Sequence, residues 1–187
     1  MSTQRLPLVD VDDLPADLRE MVDRWREQED GDPNFIRTLA NAPEMLRRFV
    51  PFYSPLVLKG VVEHRTKELV RISIAWHNQC RYCIATKYGS GRRAGIDDAL
   101  VQEIARYETG PFTERERAAL RFADAIVVDP GDVPADVVDR LRRSFDEREI
   151  LELTWVICLW IETGRLFAAL EVPYGADAPS GPVEVPA

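Results

Sequence analysis

The run from Ile150 to Leu170 constrains this fold more than any other stretch. It is apolar almost all round, through Trp155, Val156, Ile157, Leu159, Trp160, Ile161, Leu166, Phe167 and Leu170. A strand of roughly 4–8 residues could use Val156 to Ile161, but the apolar content runs well past that length, so the segment reads as a core helix. The rest of the chain keeps the same period. Leu14 to Glu29 places Leu14, Leu18, Met21, Val22 and Trp25 at helical spacing. After Asp32-Pro33-Asn34, a helical pattern resumes from Phe35 to Val50, with Pro43 as a turn or restart. Pro51 and Pro55 read as brackets around an aromatic linker, Phe52-Tyr53. Thr66 to Asn78 is strongly amphipathic, and the segment Cys80 to Ala94 follows it, loosened at its end by Gly89, Gly91 and Gly95.

Helix signals continue to the end. Asp97 or Asp98 can cap Ala99 to Tyr107, and Thr113-Glu114-Arg115-Glu116 is a capping box for a helix reaching about Val128, where Pro130-Gly131 stops it. Pro134 suits the first turn of a helix to Phe145, and Asp146 to Glu149 opens the final run. No pair of alternating segments is flanked by hairpin turns. The expectation is a single all-α domain over residues 1–172, followed by a Pro-rich acidic tail, 173–187, loosely ordered.

The formal charge of −8 over 187 residues speaks against nucleic acid or an anionic membrane as a general partner. The most apolar stretch, Ile150 to Ile161, is interrupted by Glu152 and falls short of the ~20 residues a bilayer requires. No cationic region precedes an apolar run at the start, so no signal peptide is expected, and three cysteines then indicate a reducing cytoplasmic setting.

In that setting Cys80-Arg81-Tyr82-Cys83 reads as chemistry rather than a permanent staple. Two thiols three residues apart can close on each other, and in a first helical turn the free N–H groups favour a thiolate. A metal reading is weaker. Zinc needs about four ligands; Cys80 and Cys83 with His77 and Glu68 could be conscripted, but no second Cys or His pair stands at finger-like spacing. Haem attachment wants His after the second cysteine, where Ile84 stands, and a thioredoxin-like site wants a βαβ setting. No cofactor or metal is expected.

The surrounding string, Lys67-Glu68-Leu69-Val70-Arg71-Ile72 through Cys80-Arg81-Tyr82-Cys83-Ile84-Ala85-Thr86-Lys87-Tyr88, resembles the alkylhydroperoxidase D-like, carboxymuconolactone decarboxylase superfamily. The family signature is Glu, eleven residues, Cys-x-x-Cys, three residues and His. Glu68, Cys80 and Cys83 stand at that spacing, and Arg92-Arg93-Ala94-Gly95-Ile96 resembles the family's next turn. The resemblance implies an oligomerising helical bundle that reduces hydroperoxides, with an external dithiol as reductant. It implies Cys83 as the attacking thiol, Cys80 as its partner and Glu68 as the end of a proton relay. Decarboxylation of a carboxylated lactone is a further family activity, against which the cysteine pair argues.

Where the family has its histidine this chain has Lys87. Histidine relays protons because it titrates near neutrality, and lysine, ordinarily at ~10.4, does so only when burial lowers that value. At i+4 from Cys83 on a continuous helix, Lys87 would share its face and stabilise a thiolate. His77, three residues before Cys80, and His64, four before Glu68, are the residues that could take over the relay. The competing reading is a ligand-binding helical oligomer with a degenerate active site. Cys158, Trp76, Trp155 and Trp160 read as core, Tyr82 and Tyr88 as neighbours of the pair's entrance, and Phe49, Phe52 and Tyr53 as surface for a partner copy.

Overall fold

Two reciprocal caps set the frame. Thr113 Oγ1 accepts from the Glu116 N–H at 3.2 Å while the Glu116 carboxylate accepts from the Thr113 N–H at 2.8 Å. Asp146 and Glu149 repeat the exchange at 2.8 and 2.9 Å. Each closes two orphan N–H groups at a helix start. The computed structural model describes residues 4–175, all helix, turn and loop, with no strand among them. The helices are α1 (Ala16–Glu29), α2 (Asn34–Leu39), α3 (Pro43–Leu58), α4 (His64–His77), α5 (Arg81–Ala85), α6 (Gly89–Arg93), α7 (Asp98–Glu103), α8 (Glu114–Val128), α9 (Ala135–Ser144) and α10 (Glu147–Leu170).

The axis of the bundle is α4. Every residue from Thr66 to Trp76 is buried, because α8 and α10 pack along it and α3, α5 and α6 close the remaining sides. Around it lie two apolar clusters. The larger joins α3, α4, α8, α9 and α10 through residues such as Leu69, Leu120, Leu153 and Ile157. The smaller gathers α1, α2 and the start of α3 through Leu18, Val22, Phe35 and Leu46, and takes in Cys80, Tyr82 and Phe167. At the far end of α4 the Asn78 amide donates to the Trp160 and Ile161 carbonyls at 3.2 and 3.4 Å. Gly164 permits this approach, since a Cβ there would lie 2.3 Å from Asn78 Nδ2.

Four expectations change. Pro51 and Pro55 lie inside α3 instead of bracketing a linker. Both are exposed, while Tyr53 and Val57 on the opposite face are buried and hold the helix. The Cys80 to Ala94 segment is two short helices with a break at 86–88. Trp155 is 50% exposed and Cys158 is exposed, so α10 carries an outer apolar stripe. And α10, 24 residues long with a mean hydropathy of 1.4 over its most apolar 18-residue window, is by length and composition apolar enough to cross a membrane. The sequence reading took the helix to Leu170 but weighed only Ile150 to Ile161 against a bilayer. Here its buried face, from Leu153 to Phe167, packs into the bundle. Of the tail, Pro173 and Gly175 accept from the Asn34 amide at 2.9 and 3.2 Å; residues 176–187 lie outside the described residues.

Candidate active site

Cys80 caps α5. Its backbone is extended and its sulfur accepts from the Cys83 N–H at 3.2 Å, after a left-handed turn at Gln79 (φ +50°) that swings the chain off the end of α4. The two cysteines are joined as a disulfide, Cα to Cα 5.2 Å. They are not equivalent. Cys80 is 1% exposed within the smaller cluster, whereas Cys83 lines a cavity of about 30 Å³ with Arg71, Tyr53, Tyr82, Tyr88 and Trp160 among its walls. That volume takes roughly two water-sized groups. The cavity sits at the seam of the two clusters, with Phe35 and Phe167 closing it from the smaller one.

Beneath it lies a buried ion pair. Glu68 and Arg71 are 2% and 5% exposed, and the guanidinium grips the carboxylate with Nε to Oε2 at 2.7 Å and Nη2 to Oε1 at 2.8 Å. The same group reaches into α5, Nη1 donating to the Cys83 carbonyl at 3.0 Å and Nη2 to the Thr86 carbonyl at 3.0 Å. Its Cζ stands 4.8 Å from the centre of the Tyr88 ring. These contacts explain the break in the helix. In a continuous helix the Cys83 carbonyl would accept from the Lys87 N–H; here Arg71 takes it, and the Thr86 hydroxyl turns back to the Tyr82 carbonyl at 2.7 Å.

Sequence reasoning passed over Arg71. Its signal was an arginine three residues after Glu68 on a mostly apolar helix, a spacing that puts both on one face.

Lys87 does not share a helical face with Cys83, because α5 ends at Ala85. Its ammonium is half exposed and meets Asp98 at 2.5 Å. Of the two histidines, His77 turns to Asp124, Nε2 to Oδ1 3.0 Å, on the side of α4 that faces α8. His64 contacts the Val57 carbonyl through Nδ1 at 3.3 Å, and its Nε2 is buried without a hydrogen-bond partner, in a second small cavity that shares Tyr53 and Tyr88 with the first. Burial pushes the Tyr53 hydroxyl up to about 12 and raises Tyr82 and Tyr88 as well, so these walls stay neutral near pH 7. Among the described residues no group of three or more His, Cys, Asp or Glu could hold a metal ion.

The model of the carboxymuconolactone decarboxylase family matches residues 43–125, from the start of α3 through the cysteine pair to most of α8. The bundle superposes, at a TM-score of 0.79 and 21% identity over 93% of both chains, on the alkylhydroperoxidase AhpD core of an uncharacterised peroxidase-related protein from Ralstonia eutropha JMP134. Residues 43–125 are thus similar to the carboxymuconolactone decarboxylase family, and the bundle has the fold of the alkylhydroperoxidase D-like proteins. The debrominase Bmp8, a cysteine-to-alanine variant of which has been seen in complex with 2,3,4-tribromopyrrole, shares the fold, aligning at a TM-score of 0.76 and 20% identity over 94% of both chains. By sequence, an uncharacterised protein of Mycobacterium tuberculosis is 36% identical over 115 residues, 61% of this chain. The chain spans only 39% of that relative's length.

Proposed function

We propose that this protein is a thiol-dependent oxidoreductase that reduces hydroperoxides at Cys83 and Cys80. The observation that carries the reading is the asymmetry of the pair: one sulfur on a small cavity, the other buried behind it and within bonding reach. The Cys83 thiolate attacks the terminal peroxide oxygen, breaking the O–O bond. Sulfur is oxidised to a sulfenic acid, and the departing alkoxide takes a proton to become an alcohol. The Cys80 thiol then displaces the sulfenic hydroxyl as water, forming the disulfide. An external dithiol reduces it by exchange, becoming a disulfide itself and returning two thiols. A reducing cytoplasm would supply that dithiol.

The size of the cavity supports a peroxide group entering alone, with the body of the substrate left at the mouth. Thiol counting tests the reading. Reduced protein mixed with tert-butyl hydroperoxide should lose two thiols per chain, and Cys83→Ser should lose neither at the fast rate. Normal turnover in both Cys83→Ser and Cys80→Ser would sink it.

A second reading keeps the pair and changes the substrate. The residues lining the cavity are mostly aromatic, which would favour a flat ring held at its mouth, and the fold is shared with a debrominase. Bromide release from 2,3,4-tribromopyrrole in the presence of dithiothreitol, without peroxide consumption, would favour it.

We also propose that copies of the chain associate through the outer stripe of α3 and α10. Phe52 and Trp155 stand edge to face at 5.8 Å there, 49% and 50% exposed, beside Leu151 at 61% and Met45 at 54%. Large apolar side chains grouped on one exposed face are candidates for a protein–protein contact.

A further inference from the structure

We infer that Arg71 is the positioning residue of the cysteine site: its guanidinium is the cation that favours the Cys83 thiolate, and Glu68 serves as its counter-ion rather than as the proton-accepting base. The inference rests on the proposed role of Cys83 as nucleophile.

A guanidinium has five N–H donors. Four are engaged, two on the Glu68 carboxylate and one each on the Cys83 and Thr86 carbonyls. The fifth, on the Nη1 that already holds the Cys83 carbonyl, has no acceptor among the described residues. Arg71 lines the cavity together with Cys83, so this N–H is available to the sulfur or to a peroxide oxygen. The charge is fixed, since arginine does not deprotonate in this range.

Glu68 is placed differently. Both of its oxygens lie on the guanidinium, and Gly91 packs against its stem, where a Cβ would stand 3.0 Å from Cγ. To accept a proton from Cys83 it would have to leave a bidentate pair inside the protein and abandon a buried cation, which is costly.

The other groups facing Cys83 are few. Tyr53 comes from α3, Tyr82 and Cys80 from α5 and its cap, and Tyr88 from the cap of α6; α2 and α10 offer Phe35, Trp160, Thr163 and Phe167. The three tyrosines are held neutral by burial. Lys87 is spent on Asp98 at the surface.

Alkylation of the reduced full-length chain by iodoacetamide, followed against pH, separates the two roles without any peroxide. Trypsin cuts after Arg81 and so reports Cys80 and Cys83 on different peptides. In the unmodified protein the Cys83 midpoint should lie below that of an ordinary thiol, ~8.5. Arg71→Met should raise it and slow alkylation near pH 7 by about tenfold. Arg71→Lys should not restore it, because the three donors of an ammonium cannot replace the four contacts, one pair of them bidentate, that the guanidinium makes. Glu68→Gln removes a negative charge and should leave Cys83 alkylation as fast or faster, whereas loss of a base would slow it. Should Arg71→Met fail to fold, as judged by circular dichroism, the double variant Glu68→Gln/Arg71→Met removes the pair without stranding a buried charge and should show the same raised midpoint. A Glu68→Gln variant slower than the unmodified protein, or an unmoved midpoint after loss of Arg71, overturns the inference. Because alkylation needs no hydroperoxide, absence of peroxidase turnover would count against the proposed function and leave this result standing.

Discussion

That Cys80 can pair with Cys83, with Glu68 on the helix just before them, was legible in the sequence because this placement depends on spacing within one local segment, and spacing survives folding. Arg71 and Lys87 were not, for a common reason. Whether α5 continued through Lys87 was decided by a guanidinium from another helix capping its last carbonyls, and a tertiary cap leaves no local mark. His77 shows the same limit: three residues before Cys80 in sequence, it faces Asp124 instead, which also accepts from the Tyr107 hydroxyl at 2.7 Å. The bond to Asp124 raises the His77 pKa, against a smaller opposing effect of burial. A raised folded value means this stabilisation is fully present below the unfolded value of ~6.5 and fades as pH rises through the folded one. Since the pair is partly exposed, its worth is at most about 1 kcal/mol. His77→Gln should therefore lower Tm near pH 5.5 by a few degrees and leave it almost unchanged near pH 8.5; a deficit that grows with pH would contradict this assignment.

Individual helices owe their places to polar anchors as much as to apolar faces. Lys67, 1% exposed, donates to the Leu56 carbonyl at 2.8 Å and to Glu152 at 3.0 Å. Glu152 in turn accepts from the Val61 and Val62 N–H groups at 2.7 and 3.0 Å. One ion pair thus ties the end of α3 and the loop into α4 to the second turn of α10. Burial pushes the Glu152 carboxyl up, but the Val61 and Val62 N–H groups and Lys67 outweigh it and hold it below the usual range. This contribution is present above the unfolded carboxylate value and is lost as pH falls through the folded one. Lys67→Met strands the carboxylate and should cost about 3 kcal/mol in urea unfolding. Gly60→Ala adds a Cβ 2.0 Å from Glu152 Oε1, forcing the side chain aside. If that displacement is the whole effect, Gly60→Ala should cost little in a Glu152→Ala background, a non-additivity that a double-mutant cycle reads directly. In the sequence, Glu152 was only an interruption in an apolar run; its partner Lys67 lies 85 residues away.

At the scale of the molecule, the length and periodicity of the apolar segments sufficed for an all-helical bundle, since no strand pattern competed. They could not say which side of a helix with apolar residues on every face would be left outside. That side is the α10 stripe with Trp155, and the proposed association through it predicts that Trp155→Glu shifts the chain to a smaller species by light-scattering chromatography while its helicity holds. An unchanged mass would remove this face from consideration. Cys158 sits one helical turn beyond Trp155 on the exposed side of α10, remote in sequence from the pair. Under the proposed function the chain therefore carries a spectator sulfhydryl in addition to the reactive pair. A maleimide dye placed on it would be shielded in assembled protein and open on dilution, so a single labelling experiment yields two readings, the oxidation state of the cavity from two thiols and the state of assembly from the third.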